Sequence, residues 1–201
     1  MLNKMIDLAQ VKRLKDLTGV GLTDAKAALE ASGGDFDVAL KEMRTKGLTK
    51  AEKRGERVAT AGVVGTYNHD NRIGVIVEVN CETDFVARNE LFTTLVKDIA
   101  MHIAASDPEY LSRESVSAAE IEKIKLEFRS KAENEGKNPE MIDKIVDGQI
   151  EKYFAERCLY SQPFIKNPDL SVGDYVKEYN ARLGENIIVR KFYRLALGEV
   201  S

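Results

Sequence analysis

Cysteine and histidine are scarce in this sequence of 201 residues, with two of each. Cys81 and Cys158 make neither a disulfide scaffold nor, by themselves, the four-ligand set of a structural zinc site. With only His69 and His102 besides, Cys/His metal chemistry is poorly supplied, and the low cysteine use points to a reducing compartment. No stretch reaches eighteen consecutive apolar residues and the opening MLNKMIDLAQV has no long apolar core. Neither a membrane span nor a signal peptide is therefore expected, and the cytoplasm is the simplest address. A strong excess of one charge is also missing: 30 Lys plus Arg against 33 Asp plus Glu leave a net charge of -3. That argues against a strongly basic, non-specific nucleic-acid binder while leaving room for a local basic patch. Catalytic signatures are missing too: there is no GxxxxGK[ST] phosphate loop, no GxGxxG after a strand, no HExxH and no GxSxG.

What is present is a globular pattern, with 43% hydrophobic and 31% charged residues. Near the N-terminus, Asp7 and Gln10 have the spacing of a capping box, and Leu8, Val11, Leu14 and Leu17 recur at helical spacing until Thr18 and Gly19. A second helix is predicted around Ala25, Ala28 and Leu29, stopped by Gly33 and Gly34. A third follows from Asp35, with Phe36, Ala39, Leu40 and Met43 on one side and Gly47 as its stop. Three short helices can build a compact bundle but no deep cavity, so binding is a better task for them than catalysis. In the loop between the first two, Val20 and Leu22 are apolar where a turn is usually polar. Either Leu22 closes the bundle core, or one or both of these residues plug an apolar groove on a partner. The charged run 48–61 reads as a solvated face or a tether more readily than as an RNA site.

Beyond it, GVVGTY, the turn-rich NHDNR and IGVIVEVN predict a β-hairpin whose Ile73, Val75, Val77 and Val79 share one face. NIIVRKFYRLAL predicts a third strand that must return to the hairpin. Helices are predicted from Phe92 to Ile103 after Asn89, around Ile121, Ile124 and Phe128, and from Asn138-Pro139 through Ile142, Ile145, Val146, Gln149 and Tyr153. A last one starts at the Ser171/Asp174 box and carries Val172, Tyr175, Val176, Tyr179 and Leu183. The second and third of these form a helical hairpin turning at GKNP. The fold class is α+β: an N-terminal three-helix bundle, then a mainly antiparallel sheet packed with helices. The expected division is 1–47 for the bundle, 48–61 for a connection and 62–201 for the core.

The segment CETDFVARNE, 81–90, follows the strongest strand and admits several readings. Glu82 and Asp84 could ligate a hard cation, although the repeated oxygen ligands of a calcium loop are missing. Asp84 could sit at a helix start and Phe85 in the core. An acid, an aromatic, Arg88 and Asn89 at a strand-to-helix junction also make a compact projecting probe. A cysteine hydrolase would need Cys81 to meet a histidine, for which the spacing gives no basis.

Three ordered segments carry a family resemblance over essentially the whole chain: VKRLKDLTGVGLTDAKAALEASGGDFDVALKEMRTKG, VNCETDFVARNELF, and CLYSQPFIKNPDLSVGDYV with LGENIIVRKFYRLALG. They resemble the bacterial elongation factor Ts family, guanine-nucleotide exchange factors for elongation factor Tu. The resemblance implies that the bundle is ubiquitin-associated-like and that no cofactor and no covalent catalysis are involved. It implies that Asp84 and Phe85 of the TDF motif intrude near the magnesium and phosphate region of the GTPase's nucleotide-binding domain. Asn80, Cys81, Thr83, Val86, Arg88 and Asn89 would shape the base of that wedge. Leu22 and Thr23, with Lys15 as a weaker polar contact, would touch another face of the same domain, Thr23 standing where a larger apolar residue is commoner. The chain is short for the family, with room for one compact core, which implies a homodimer or a two-to-two complex with the GTPase; a one-to-one complex is the alternative. Neither membrane nor specific nucleic-acid binding is expected. The competing reading is a scaffold module that binds protein or nucleic acid through its bundle, because a fold alone does not fix a function.

Overall fold

The computed structural model describes residues 7–18, 20–43, 45 and 57–199. Helix α1 spans Leu8–Thr18 and α2 Leu22–Ala31. Helix α3 covers 36–43. Asp7 Oδ1 accepts the Ala9 amide at 2.9 Å, and Asp35 Oδ1 accepts the Asp37 and Val38 amides, so both expected caps operate. Gly33 and Gly34, at φ of 64° and 83°, turn the chain between α2 and α3. The bundle core is Val11, Leu14, Ala25, Ala28, Leu29, Ala39 and Met43. Two residues of the predicted α1 stripe fall outside it: Leu8 and Leu17 are exposed, and the buried row continues instead at Thr18. Thr18 can be buried because its hydroxyl donates to the Leu14 carbonyl at 2.6 Å. Leu22, the first residue of α2, is 48% exposed and does not close the core, whereas Val20 packs against it. Gly19, Gly47 and the charged run 48–56 lie outside the described residues.

Strands β1 (Ala61–His69) and β2 (Ile73–Cys81) form the predicted hairpin. Asp70 and Asn71, both at positive φ, make its turn, which is closed by the Arg72 amide donating to the His69 carbonyl. Later in the chain come α4 (Asp84–Ala87), α5 (Glu90–Ser106), α6 (Ala118–Asn134), α7 (Pro139–Arg157), β3 (Pro163–Phe164), β4 (Asn167–Ser171), α8 (Val172–Leu183) and β5 (Ile188–Ala196). The sheet order is β1-β2-β5, antiparallel throughout, so the last strand returns beside β2 and leaves β2 in the centre. The short β3–β4 pair carries no period-two pattern and was not predicted.

Val75, Val77, Val79 and Val189 on one face of the sheet meet Phe92, Leu95, Val96, Ile99 and Ile103 of α5, and Val172, Val176 and Tyr179 of α8 complete this core. The five apolar residues predicted for α5 are all buried. Asn138 caps α7 by accepting the Glu140 amide, and Gly136 at φ 68° turns the chain between α6 and α7. This pair has its own core, and here the predicted α7 face is corrected: the buried row is Ile142, Val146, Ile150 and Phe154, with Ile145, Gln149 and Tyr153 beside it only partly buried. A row at steps of four drifts by about 40° per step around a helix of 3.6 residues per turn, so the buried face winds around α7 and takes in Ile150 and Phe154.

Three polar side chains inside the core, His102, Gln162 and Asp98, are committed to partners. His102 is fully buried; its Nδ1 accepts the Ile165 amide at 3.3 Å, so Nε2 carries the proton and donates to Gln162 Oε1 at 2.9 Å. The Gln162 amide nitrogen donates in turn to the Ser106 and Glu156 carbonyls. Asp98 accepts from Lys166 Nζ at 2.6 Å and from the Tyr175 hydroxyl at 2.7 Å, which ties α5 to the β3–β4 turn and to α8.

Helix α5 lies close on β1 because Gly65 has no side chain. A Cβ there would stand 2.2 Å from Val96 Cγ1. Gly65→Ala is predicted to cost about 1–3 kcal/mol, and adding Val96→Ala should recover part of that loss, since the remaining Val96 Cβ is at 3.7 Å. Denaturant titrations of both single variants and the double variant measure this, and strictly additive losses would contradict the close-packing account.

Burial lowers the His102 pKa below the ordinary 6.5, against the weaker opposing effect of its bond to Gln162. The unfolded chain therefore binds this proton first as the pH drops. The contribution of His102 to stability is complete above about pH 6.5 and is lost as the pH falls through that value toward the folded pKa, with a slope up to about 1.4 kcal/mol per pH unit. His102→Gln is predicted to flatten the stability profile between pH 7 and 5, whatever it does to the absolute value. An unchanged slope would show that the histidine does not titrate on unfolding.

Candidate functional site

Central strand β2 runs directly into a ridge built from 80–90. Cys81 ends the strand in the core, and Thr83, with extended backbone, starts α4 by accepting the Val86 amide on its hydroxyl at 3.4 Å. The cap is thus Thr83 and not Asp84, which instead occupies the first turn, where a negative charge faces free amide donors. The helix lasts four residues. Asn89 then takes extended backbone and accepts the Leu91 amide at 2.8 Å, which begins α5. Two caps six residues apart leave room for a single helical turn between sheet and long helix.

Val86 and Ala87 face inward and are buried. Successive helical residues are offset by about 100°, so Asp84 and Phe85 face outward. Phe85 is 83% exposed, which overturns the core-packing reading of this ring. Burying a Phe side chain is worth about 1.5–3 kcal/mol, little of which this one gains within the chain. Asp84, Thr83 and Arg88 are exposed around it, and Asn89 is half-buried at the rear.

Asn80, Cys81 and Val86 lie underneath. The Asn80 side chain donates to the Ala61 carbonyl at 3.2 Å, pinning the start of β1 to the end of β2. The Cys81 thiol donates to the Thr83 carbonyl at 3.2 Å. Burial first, and then the negative charge of Glu185, push its pKa up to about 11, so it is a protonated thiol and a poor nucleophile near neutral pH. His102 spends both ring nitrogens on Ile165 and Gln162, while His69 lies at the hairpin turn against Tyr67. The cysteine–histidine pair required of a hydrolase does not form. Nor do Glu82 and Asp84 converge on a cation, because Glu82 Oε1 is turned to the Asn186 amide at 2.6 Å and to Arg57 Nη1 at 3.5 Å.

Glu185 is the part of this site that sequence reasoning missed. It sits in the short link between α8 and β5, after Gly184, which caps α8 at φ 76°. Its Oε2 accepts the Glu82 amide at 3.0 Å and the Thr83 amide at 3.1 Å, and its Oε1 accepts the Thr83 hydroxyl at 2.6 Å. Asn186 adds a side-chain donation to the Arg57 carbonyl at 2.7 Å. An acid in a link has no periodicity to betray it, and its partners are more than a hundred positions away.

Lys15, Leu22 and Thr23 belong to the bundle. Lys15 is in the last turn of α1, while Leu22 and Thr23 open α2, and all three are solvent-exposed.

Comparison with known proteins adds a direct finding. Residues 39–199 match the family described as Elongation factor TS. A protein named elongation factor Ts from Geobacter sp. (strain M21) is 51% identical over 195 residues, covering 96% of this chain and 90% of the relative. Its namesake from Heliobacterium modesticaldum is 52% identical, covering 97% and 91%. A third, from Thermodesulfovibrio yellowstonii, is 48% identical, covering 96% and 97%.

Proposed function

This chain belongs to the elongation factor Ts family of translation elongation factors, and from that premise we propose that it speeds GDP release from elongation factor Tu with Phe85 as a wedge. The observation that carries this reading is a large aromatic held out of the core, 83% exposed, on a turn whose next two residues are buried. A ring in that position has its binding energy available for a partner. It enters the nucleotide-binding domain near the magnesium and phosphate region, and Asp84 brings a negative charge there. Displaced partner elements lose metal coordination and backbone contacts to the phosphates.

Exchange follows by reciprocity. A factor that binds the nucleotide-free GTPase more tightly than the GDP-bound form must weaken GDP binding by the same ratio, and incoming GTP expels the factor through the same coupling. No bond in the chain is made or broken, consistent with the protonated Cys81 and the committed His102. Leu22, with Thr23 and Lys15, supplies a second contact on the same domain; Thr23 offers little apolar area, so Leu22 is its anchor.

The partner side of the sheet completes the reading. Val64 of β1, Ile76 of β2 and Tyr193 and Leu195 of β5 are exposed on the face opposite α5. Ile76 stands between Thr66 and Tyr193 across the strands, and the opposed pair Glu78 and Lys191 places one charge of each sign at the margin. A patch with an apolar centre and both charges at its rim is self-complementary, so a second copy of the chain is the occupant that fits it. Light scattering over a wide concentration range is predicted to give a mass rising toward two copies, and Ile76→Glu should abolish the rise. One-to-one particles with the GTPase at every concentration would reject the dimer and leave the exchange reading standing.

The wedge is tested on elongation factor Tu loaded with fluorescent GDP and chased with excess unlabelled nucleotide. Phe85→Ala is predicted to slow GDP release about tenfold or more, the scale of an interface anchor, while changing unfolding free energy by no more than about 0.5 kcal/mol. Asp84→Asn should slow release with similarly little effect on folding. Native release rates from a folded Phe85→Ala protein would refute the wedge.

A further inference from the structure

The two loops beside the ridge exchange carboxylates. Glu185 caps the amides of Glu82 and Thr83, and Glu82 caps the amide of Asn186. Thr83 is the pivot, since its hydroxyl donates to Glu185 at 2.6 Å while accepting from Val86 as the cap of α4. The acid therefore holds the residue that sets the direction of the whole turn. Resting on the exchange reading above, we infer that Glu185 is a positioning residue for exchange: it fixes the entry to α4 so that Phe85 meets the GTPase in one orientation.

The geometry separates this role from ordinary stabilisation. Thr83 lies at the exposed end of α4, where water can satisfy its amide and hydroxyl equally well. Removing the carboxylate therefore costs direction more than it costs fold. The inward anchor, Val86 and Ala87 in the core, holds only the far half of the turn. With the near half released, α4 can pivot about that anchor and swing the ring. Small displacements of a group that acts in a strained complex are expensive in rate, roughly up to a hundredfold for an ångström. The remaining contact surfaces are untouched, so the loss falls on the maximal release rate and not on the concentration that half-saturates it.

The experiment is a double-variant cycle in the GDP-release assay. Glu185→Ala is expected to lower the maximal rate roughly tenfold or more, with the half-saturating concentration changed by less than about threefold. In the Phe85→Ala background the same change is expected to cost much less, because most of its effect runs through that ring and only the part carried by Asp84 on the same turn remains. Glu185→Gln, which keeps the shape and one acceptor oxygen, should fall between, and it carries the test if the alanine variant does not fold. Amide hydrogen exchange should speed up at Glu82 and Thr83 while staying slow at Val77 and Val79. A native maximal rate in folded Glu185 variants overturns the inference, as does a loss that adds in full to that of Phe85→Ala. A native rate in Phe85→Ala alone is a distinct result: it sinks the wedge, and the positioning role with it.

Discussion

A helical turn of four residues has too few internal hydrogen bonds to hold itself together in water, so the direction in which Phe85 points is decided by what α4 is fastened to. That constraint organises the core around one junction. Strand β2 lies between two partners and cannot shift. Cys81 ends it inside the hydrophobic core, and Asn89 starts α5 a few residues later, with α5 pressed against the same sheet through Gly65. The turn is a short bridge between two rigid bodies, and a bridge of that length has little slack. Its exposed end would still be loose without an external acceptor, which the link between α8 and β5 supplies.

The same arrangement explains why the apolar surface is unevenly distributed. The sheet buries one face under α5 and α8 and leaves Val64, Ile76, Tyr193 and Leu195 outside on the other. The bundle leaves Leu22 out while Val20 goes in, and α4 leaves Phe85 out while Val86 goes in. At the latter two sites neighbouring residues take opposite roles, so the exposed member is held by a buried one close to it in the chain. An exposed side chain with a buried neighbour has little freedom to collapse onto its own protein. Such side chains leave contact energy available for association, where a few well-held aromatic and aliphatic anchors outweigh a large nondescript area.

Most of the fold was legible because it rests on local signals. Period-two valines, the Asp70-Asn71 turn, and the caps Asn89, Asn138 and Ser171 all act within a few residues of where they stand. The errors arose where several residue types could fill one helical face. Leu8 and Leu17 fit the α1 pattern as well as Thr18 does, and only the hydrogen bond of Thr18 to Leu14 lets a polar residue win the buried place. On α7, Ile142 and Val146 of the row assigned from sequence are buried, and the burial then continues at steps of four to Ile150 and Phe154, one position beside Gln149 and Tyr153. At the ridge, the outward pair Asp84 and Phe85 was legible by resemblance, but their support was not. The amides of Glu82 and Thr83 give no sign in sequence that an acid at 185 will cap them.

If Phe85 is the wedge we propose, rigidity decides how much of the energy of binding reaches the nucleotide. If the turn yields on contact, the ring finds the most comfortable position on the GTPase surface, and the complex forms without disturbing the phosphate site. If the turn is stiff, the same contact is satisfied only when the partner yields, and the energy appears as displacement of the partner's metal and phosphate contacts. Phenylalanine suits this, having two side-chain torsions and so little freedom to lose on insertion. A Met or Lys at the same place would bend before it pushed. On the proposed wedge reading, exchange is therefore a matter of relative stiffness, set on this side by the central strand, the buried Val86 and the carboxylate that holds Thr83.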